Sequence, residues 1–141
     1  MSFHLSFLKL IEYDSGVPGI TLAVILQSGS RKVSFDARLD TGATHCIFER
    51  VHGENIGCDV ESGELLIVST ATGIFRAYGH QVILSVRDFD FDVMVYFAED
   101  YAFSRNVLGR HGFLNLVRLG LIDYDGRLYL SLYGDDANGE A

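Results

Sequence analysis

Short apolar runs with a period of two dominate the chain. In VSFDARL, residues 33 to 39, Val33, Phe35, Ala37 and Leu39 fall on one side of an extended backbone and Ser34, Asp36 and Arg38 on the other, which predicts a half-buried strand. FHLSFLKLI, residues 3 to 11, is apolar and partly alternating, and GITLAVILQ, residues 19 to 27, is a continuous apolar run of the length a buried strand uses. Ser28-Gly29-Ser30 is a turn signal between two of these strands, and CIFER, residues 46 to 50, reads as a short extended or turn segment. ELLIVS, residues 64 to 69, runs to a small polar tip, Thr70-Ala71-Thr72-Gly73, and returns as IFRAYGHQVILSV, residues 74 to 86. Two extended arms around a small, glycine-containing tip predict a long hairpin. After Asp88, FDFDVMVYF, residues 89 to 97, begins in alternation and ends continuously apolar.

The pattern changes once. In HGFLNLVRLG, residues 111 to 120, Phe113, Leu114, Leu116 and Val117 suit one face of a short helix ended by Gly120. LIDYDGRLYLSLY then predicts a hairpin turning at Asp125-Gly126, with Leu128, Leu130 and Leu132 on one face. Many short strands and one short C-terminal helix predict a mainly β fold, a closed or partly closed barrel. A chain of 141 residues suits a single domain, read here as residues 1–134 with a polar tail, 135–141, expected to be disordered.

Composition narrows the function classes. A net charge of −8 argues against a nucleic-acid partner, because phosphate contacts need a basic surface. No apolar run approaches the ~20 residues of a membrane-spanning helix. The start, MSFHLSFLKLIEYDSG, has no basic leader or cleavage site of a signal peptide and no evident prosegment. These features predict a soluble, cytoplasmic protein. Cys46 and Cys58 do not make a disulfide scaffold. With His45 and His52 they offer a metal reading, but the close Cys-x-x-Cys pairs of structural zinc are missing. The better expectation is Cys46 as a small core residue, the histidines on the surface or in loops, and neither metal nor cofactor.

The chemistry-bearing stretch is RLDTGAT, where Asp40-Thr41-Gly42 directly follows a patterned strand. Asp supplies a carboxylate that can act as base or acid, Thr a hydroxyl that can hydrogen-bond across an interface and hold a loop rigid, and Gly a close backbone approach. This signature resembles the active-site motif of aspartic proteases. NVLGRHGF, residues 106 to 113, is similar to the apolar-apolar-Gly-Arg segment before the C-terminal helix of retroviral-type proteases. The order strand, DTG, hairpin, LGR, helix and terminal strand covers most of the chain. It resembles a retropepsin-like acid-protease barrel in a single-domain form.

The resemblance implies several roles. Asp40, Thr41 and Gly42 would be the catalytic loop, and Ala43 and Thr44, with the flap tip Thr70, Ala71, Thr72 and Gly73, would meet substrate. Val107, Leu108 and Gly109 would pack beside the Asp40 loop, with Arg110 opening the helix. It also implies a homodimer, with the terminal strands FHLSFLKL and RLYLSLY as its contacts. Viral members follow DTGA with an acidic residue that pairs with the later arginine. This chain has Thr44 there, so Arg110 needs another partner, with Asp36, Glu49 or a backbone carbonyl as candidates. The chain is also longer than the minimal viral domain, with extra residues expected at the N-terminus and between Glu49 and Glu64.

Such chemistry needs two close aspartates sharing one proton, and the chain offers one suitable DTG, so the second Asp40 must come from another copy. Asp14-Ser15-Gly16 is a DSG variant, but it lies too near Asp40 for a second lobe and sits among turn residues. Asp123-Tyr124-Asp125-Gly126 reads likewise as a turn. The resulting expectation is a homodimeric aspartic endopeptidase cutting extended peptide or protein substrates, with apolar residues near the cut. The alternative is a peptide-binding or dimerisation module on the same fold that has lost most turnover.

Overall fold

The alternating run at 33–39 forms β3, Arg31–Leu39, antiparallel to β2, Thr21–Ser28. In this computed structural model, which describes residues 1–135, they follow β1, Lys9–Glu12, and precede β4, Ile47–Phe48, and a short helix α1, Arg50–Asn55. Next come β5, Glu64–Thr70, β6, Gly73–Val86, β7, Phe89–Ala98, and β8, Val107–Leu108. The described chain closes with β9, Val117–Ile122, and β10, Arg127–Leu132.

Seven strands lie in the order β2-β3-β8-β4-β7-β6-β5, and an extra pairing of β2 with β6 closes the sheet into a barrel. Closure covers the free edge of β2 and leaves β5 as the edge strand of this sheet. The expected closed β barrel is therefore what forms. A second sheet, β1-β10-β9, packs the two ends of the described chain together. Most expected side-chain orientations follow. Leu22, Val24 and Leu26 of β2, Leu84 and Val86 of β6, and Leu128 and Leu130 of β10 are buried in one apolar core with Phe48, Phe97 and Phe113.

Two strands show why the barrel carries an extended hairpin. In β6 the buried positions are Ala77 and Gly79 in the distal half but Val82, Leu84 and Val86 in the half nearer the core. The change of parity at His80-Gln81 turns the opposite face inward. The distal half packs with β5 on a small second cluster built on Ile47, Ala77 and Tyr96, with Leu66, Val68, Phe75 and Phe103 around it. The continuously apolar end of β7 lies between the two clusters, so Val95, Tyr96, Phe97 and Ala98 are all buried.

Four expectations are corrected. The GITLAVILQ run is buried on one face only, and Ile25 is exposed. Of residues 3 to 11, only Lys9 onwards is strand. The helix expected over 111–120 is a single 3-10 turn, Leu114–Leu116, followed directly by β9. Helix nucleation is costly for so short a segment, whereas the strand gains six residue pairs with β10, from Val117↔Leu132 to Ile122↔Arg127. The α-helix present is instead α1, inside the segment read as extended or turn and as extra residues. The expected disordered tail lies outside the described residues, except for Asp135.

Candidate active site

β3 ends at Leu39, and its parallel pairing with β8 puts Leu39 opposite Leu108. The backbone then laces the two motifs together. The Asp40 N–H donates to the Leu108 carbonyl (3.0 Å), the Arg110 N–H to the Ala43 carbonyl (2.9 Å), and the His111 N–H to the Thr44 carbonyl (2.8 Å). The crossing is so close that a Cβ on Gly109 would stand 2.2 Å from the His45 carbonyl oxygen. Below the loop, Cys46 is fully buried and its sulfur accepts the Gly109 N–H at 3.4 Å.

Within the loop the Gly42 N–H donates to Asp40 Oδ1 at 2.9 Å, and the Ala43 N–H to the Asp40 carbonyl at 3.2 Å. One carboxylate oxygen is thus oriented while the side chain as a whole stays exposed. Asp14 makes the same local turn, its Oδ1 accepting the Gly16 N–H at 2.8 Å. The two aspartates differ in their surroundings. Asp40 opens on a cleft of about 430 Å³, and Asp14 does not line it.

That cleft lies between the Asp40 loop and the β5–β6 hairpin. Of the residues expected at the site, Asp40, Gly42, Ala43, Thr44 and Thr70 line it. Thr41, Ala71, Thr72 and Gly73 do not. Thr41 is exposed, and among the described residues its hydroxyl makes no hydrogen bond. The hairpin tip is ordered by Thr70, whose hydroxyl donates to the Gly73 carbonyl at 2.9 Å. The cleft walls also include Val107, expected beside the Asp40 loop, His45, considered above only as a metal ligand, and Ile47, Leu66, Val68, Phe75, Phe103 and Arg105, which no motif in the sequence marks as site residues. Leu66 and Val68 carried a signal, the strand period of ELLIVS; the others are assembled by pairing across the barrel.

Arg110 does not open a helix, and among the described residues its exposed side chain meets no carboxylate, so neither Asp36 nor Glu49 is its partner. The metal reading also fails, since among the described residues no three His, Cys, Asp or Glu side chains form a cluster that could hold an ion. Burial pushes the Cys46 thiol up to about 11 and raises Cys58 as well, so both are held as neutral thiols.

The histidines are not simple surface residues. His52, on α1, stacks on Phe35 with ring centroids 3.8 Å apart. Glu49 Oε1 is 3.4 Å from its Nε2 without hydrogen-bond geometry, so neither buried ring nitrogen has a hydrogen-bond partner. Burial lowers the His52 pKa below its ordinary 6.5, outweighing the pull of Glu49. His45, edge-on to Tyr96, is lowered by burial and then by His111. In both cases the unfolded chain takes up a proton at higher pH than the folded one. The stability these neutral rings contribute is present above the unfolded value of 6.5 and is lost as pH falls through the lower folded value. Thermal unfolding followed from about pH 7 to about pH 5 should show a falling Tm, and His52→Gln should flatten that fall.

No family model matches the chain, and no curated protein matches it. Among solved structures it is similar to the retroviral EIAV protease complexed with the inhibitor HBY-793, with a TM-score of 0.51 over 65% of this chain and 82% of that one. The fold is retropepsin-like. At 16% identity the likeness concerns the backbone. Among the described residues no helix is long and apolar enough to cross a membrane.

Proposed function

We propose that this chain is one half of a homodimeric aspartic endopeptidase, formed by a single retropepsin-like domain over residues 1–134. The observation that carries the reading is Asp40 itself: an oriented, exposed carboxylate at the edge of a hairpin-covered cleft, on a loop cross-laced to the Leu108-Gly109-Arg110 segment. In a two-fold dimer two Asp40 side chains would face each other and share one proton, since neighbouring like charges cannot both ionise easily. The ionised carboxylate draws a proton from water, and the protonated one donates to the scissile carbonyl oxygen. Water adds, the tetrahedral intermediate collapses, and a proton passes to the leaving amine. No covalent intermediate or cofactor is required.

The hairpin serves as a flap. Its tip bends to admit an extended peptide and closes over it, excluding water and adding backbone hydrogen bonds. Leu66, Val68, Phe75 and Ile47 offer the substrate an apolar wall. Three features favour a second copy. The Thr41 hydroxyl is unpaired among the described residues. Strands β1 and β9 are the edges of their sheet. Around them Phe3, Leu5, Leu8, Leu121 and Ile122 are exposed apolar side chains, a surface that a partner subunit would cover. The free thiols Cys46 and Cys58 fit a reducing compartment such as the cytoplasm.

The test combines sedimentation with cleavage of a peptide library across a dilution series. Specific activity should fall in step with the dimer fraction. Monomers that cleave at the full rate would refute the shared site.

A further inference from the structure

Asp40 opens on more than the main cleft. With Arg105 and Val107 it also lines a smaller hollow of about 200 Å³, whose other walls are Arg38, Ser104 and Asn106. Two arginines, Arg38 and Arg105, therefore border the hollow that the candidate catalytic residue Asp40 shares. Neither forms an ion pair or side-chain hydrogen bond with a described residue, Asp40 included. They are cations without a carboxylate, at a place where a ligand would pass.

Their positions are built into the fold. Arg38 pairs in register with Val107, and its N–H donates to the Asn106 carbonyl at 2.8 Å. Asn106 is clamped in turn by Glu49, whose N–H donates to Asn106 Oδ1 (2.9 Å) and whose Oε1 accepts from Asn106 Nδ2 (2.8 Å). The Arg38 guanidinium lies over the turn at Gly19, where a Cβ would stand 2.5 Å from Nε and where φ is +79°. Arg105 sits with its guanidinium 5.9 Å from the centre of the Phe103 ring, a cation–π contact that leaves its N–H groups free.

We propose that Arg38 and Arg105 form a subsite for an acidic side chain of the substrate close to the scissile bond. The proposal rests on the peptidase reading and adds a substrate class: peptides with Asp or Glu on one side of the cut and apolar residues along the rest. The physical need is specific. A proton-sharing Asp40 pair carries a negative charge, and an acidic side chain brought beside it would be repelled unless cations offset that charge. A guanidinium fork matches a carboxylate with two parallel hydrogen bonds. In the open cleft such a pair is worth little, but a closed flap would exclude water and strengthen it. The net charge of −8 opposes acidic peptides at long range, yet salt screens that field within about 10 Å while leaving close contacts largely intact.

The test uses octapeptides that differ at one position only, carrying Glu, Gln or Leu there, with that position scanned along the peptide. Binding is measured first on Asp40→Asn protein by fluorescence anisotropy, so the result does not depend on turnover. At one position Glu should bind about tenfold tighter than Gln. Arg38→Gln and Arg105→Gln should each reduce that ratio, and the double variant should bring it to about one. The double replacement by Glu should invert the preference in favour of Lys. Circular dichroism on each variant checks the fold, which two exposed side chains should not disturb. Equal binding of Glu and Gln peptides at every position, or a Glu preference that survives the double Gln variant, would overturn the subsite. Cleavage by the wild type is then scored separately: a bound acidic peptide that is never cut refutes the peptidase reading and leaves the subsite standing.

Discussion

Asp40→Asn should remove cleavage while leaving the fold and the dimer in place. In a homodimer the substitution changes both halves of the reacting pair at once. Neither side chain can then take a proton from water, and the acid that protonates the scissile carbonyl is lost with the base. Losing acid–base catalysis of this kind costs about 10²- to 10⁴-fold in rate, and more where both roles disappear. Structure should survive because the contact Asp40 makes within the loop uses Oδ1 as acceptor from the Gly42 N–H, and an asparagine oxygen accepts in the same way. The side chain is exposed, so the change creates no cavity. The measurements are initial rates on a cleavable peptide, sedimentation and Tm. Mixing offers a sharper check: dimers of one wild-type subunit and one Asp40→Asn subunit should be inactive, so excess variant should suppress wild-type activity. A variant retaining a tenth of the wild-type rate would show that Asp40 is not one of the reacting groups.

Gly109→Ala should damage stability and activity together. The added methyl would lie 2.2 Å from the His45 carbonyl oxygen, 2.7 Å from its carbon and 2.8 Å from the Ala43 carbonyl oxygen. All three are backbone atoms, so no side chain can swing aside. The loop carrying Asp40 must move away from the Leu108-Gly109-Arg110 segment, stretching the bonds from Asp40 to Leu108 and from Arg110 to Ala43. Overpacking of this kind costs about 1–3 kcal/mol or more. A displacement of about 1 Å at the reacting carboxylate lowers turnover by about 100-fold. Urea denaturation should give a lower midpoint with an unchanged slope. Gly134→Ala is the control, because a Cβ there meets nothing within 4 Å, and it should stay within about 0.5 kcal/mol of the wild type. Equal effects from the two substitutions would mean that the close crossing of the motifs is not what holds the loop.

Local and distant interactions compete at several places along this chain. Residues 33 to 39 alternate in sequence and in space, because a half-buried strand answers mainly to its own period. Residues 111 to 120 have a helix-like apolar spacing, yet β10 captures their second half as β9. Arg50–Asn55 shows the reverse case. Arg50 pairs with Glu54 one turn on and reaches Glu61 and the Glu99 carbonyl, contacts that involve positions up to forty-nine residues away. His52 reads as a loop histidine until α1 lays it on Phe35.

The chain's own order of residues determined the β character, the hairpin tipped by Thr70 to Gly73, and the place where a carboxylate leaves a strand. Those properties follow from period, turn chemistry and short-range hydrogen bonding, which act within a few residues. Tertiary structure decided the rest. It paired β2 with β6 to close the barrel, set Gly109 against His45, raised the apolar wall beside Asp40, and brought Arg38 and Arg105 to one hollow although sixty-seven positions separate them. Strand pairing sums many weak contacts between distant segments, and no local pattern records which segments will meet.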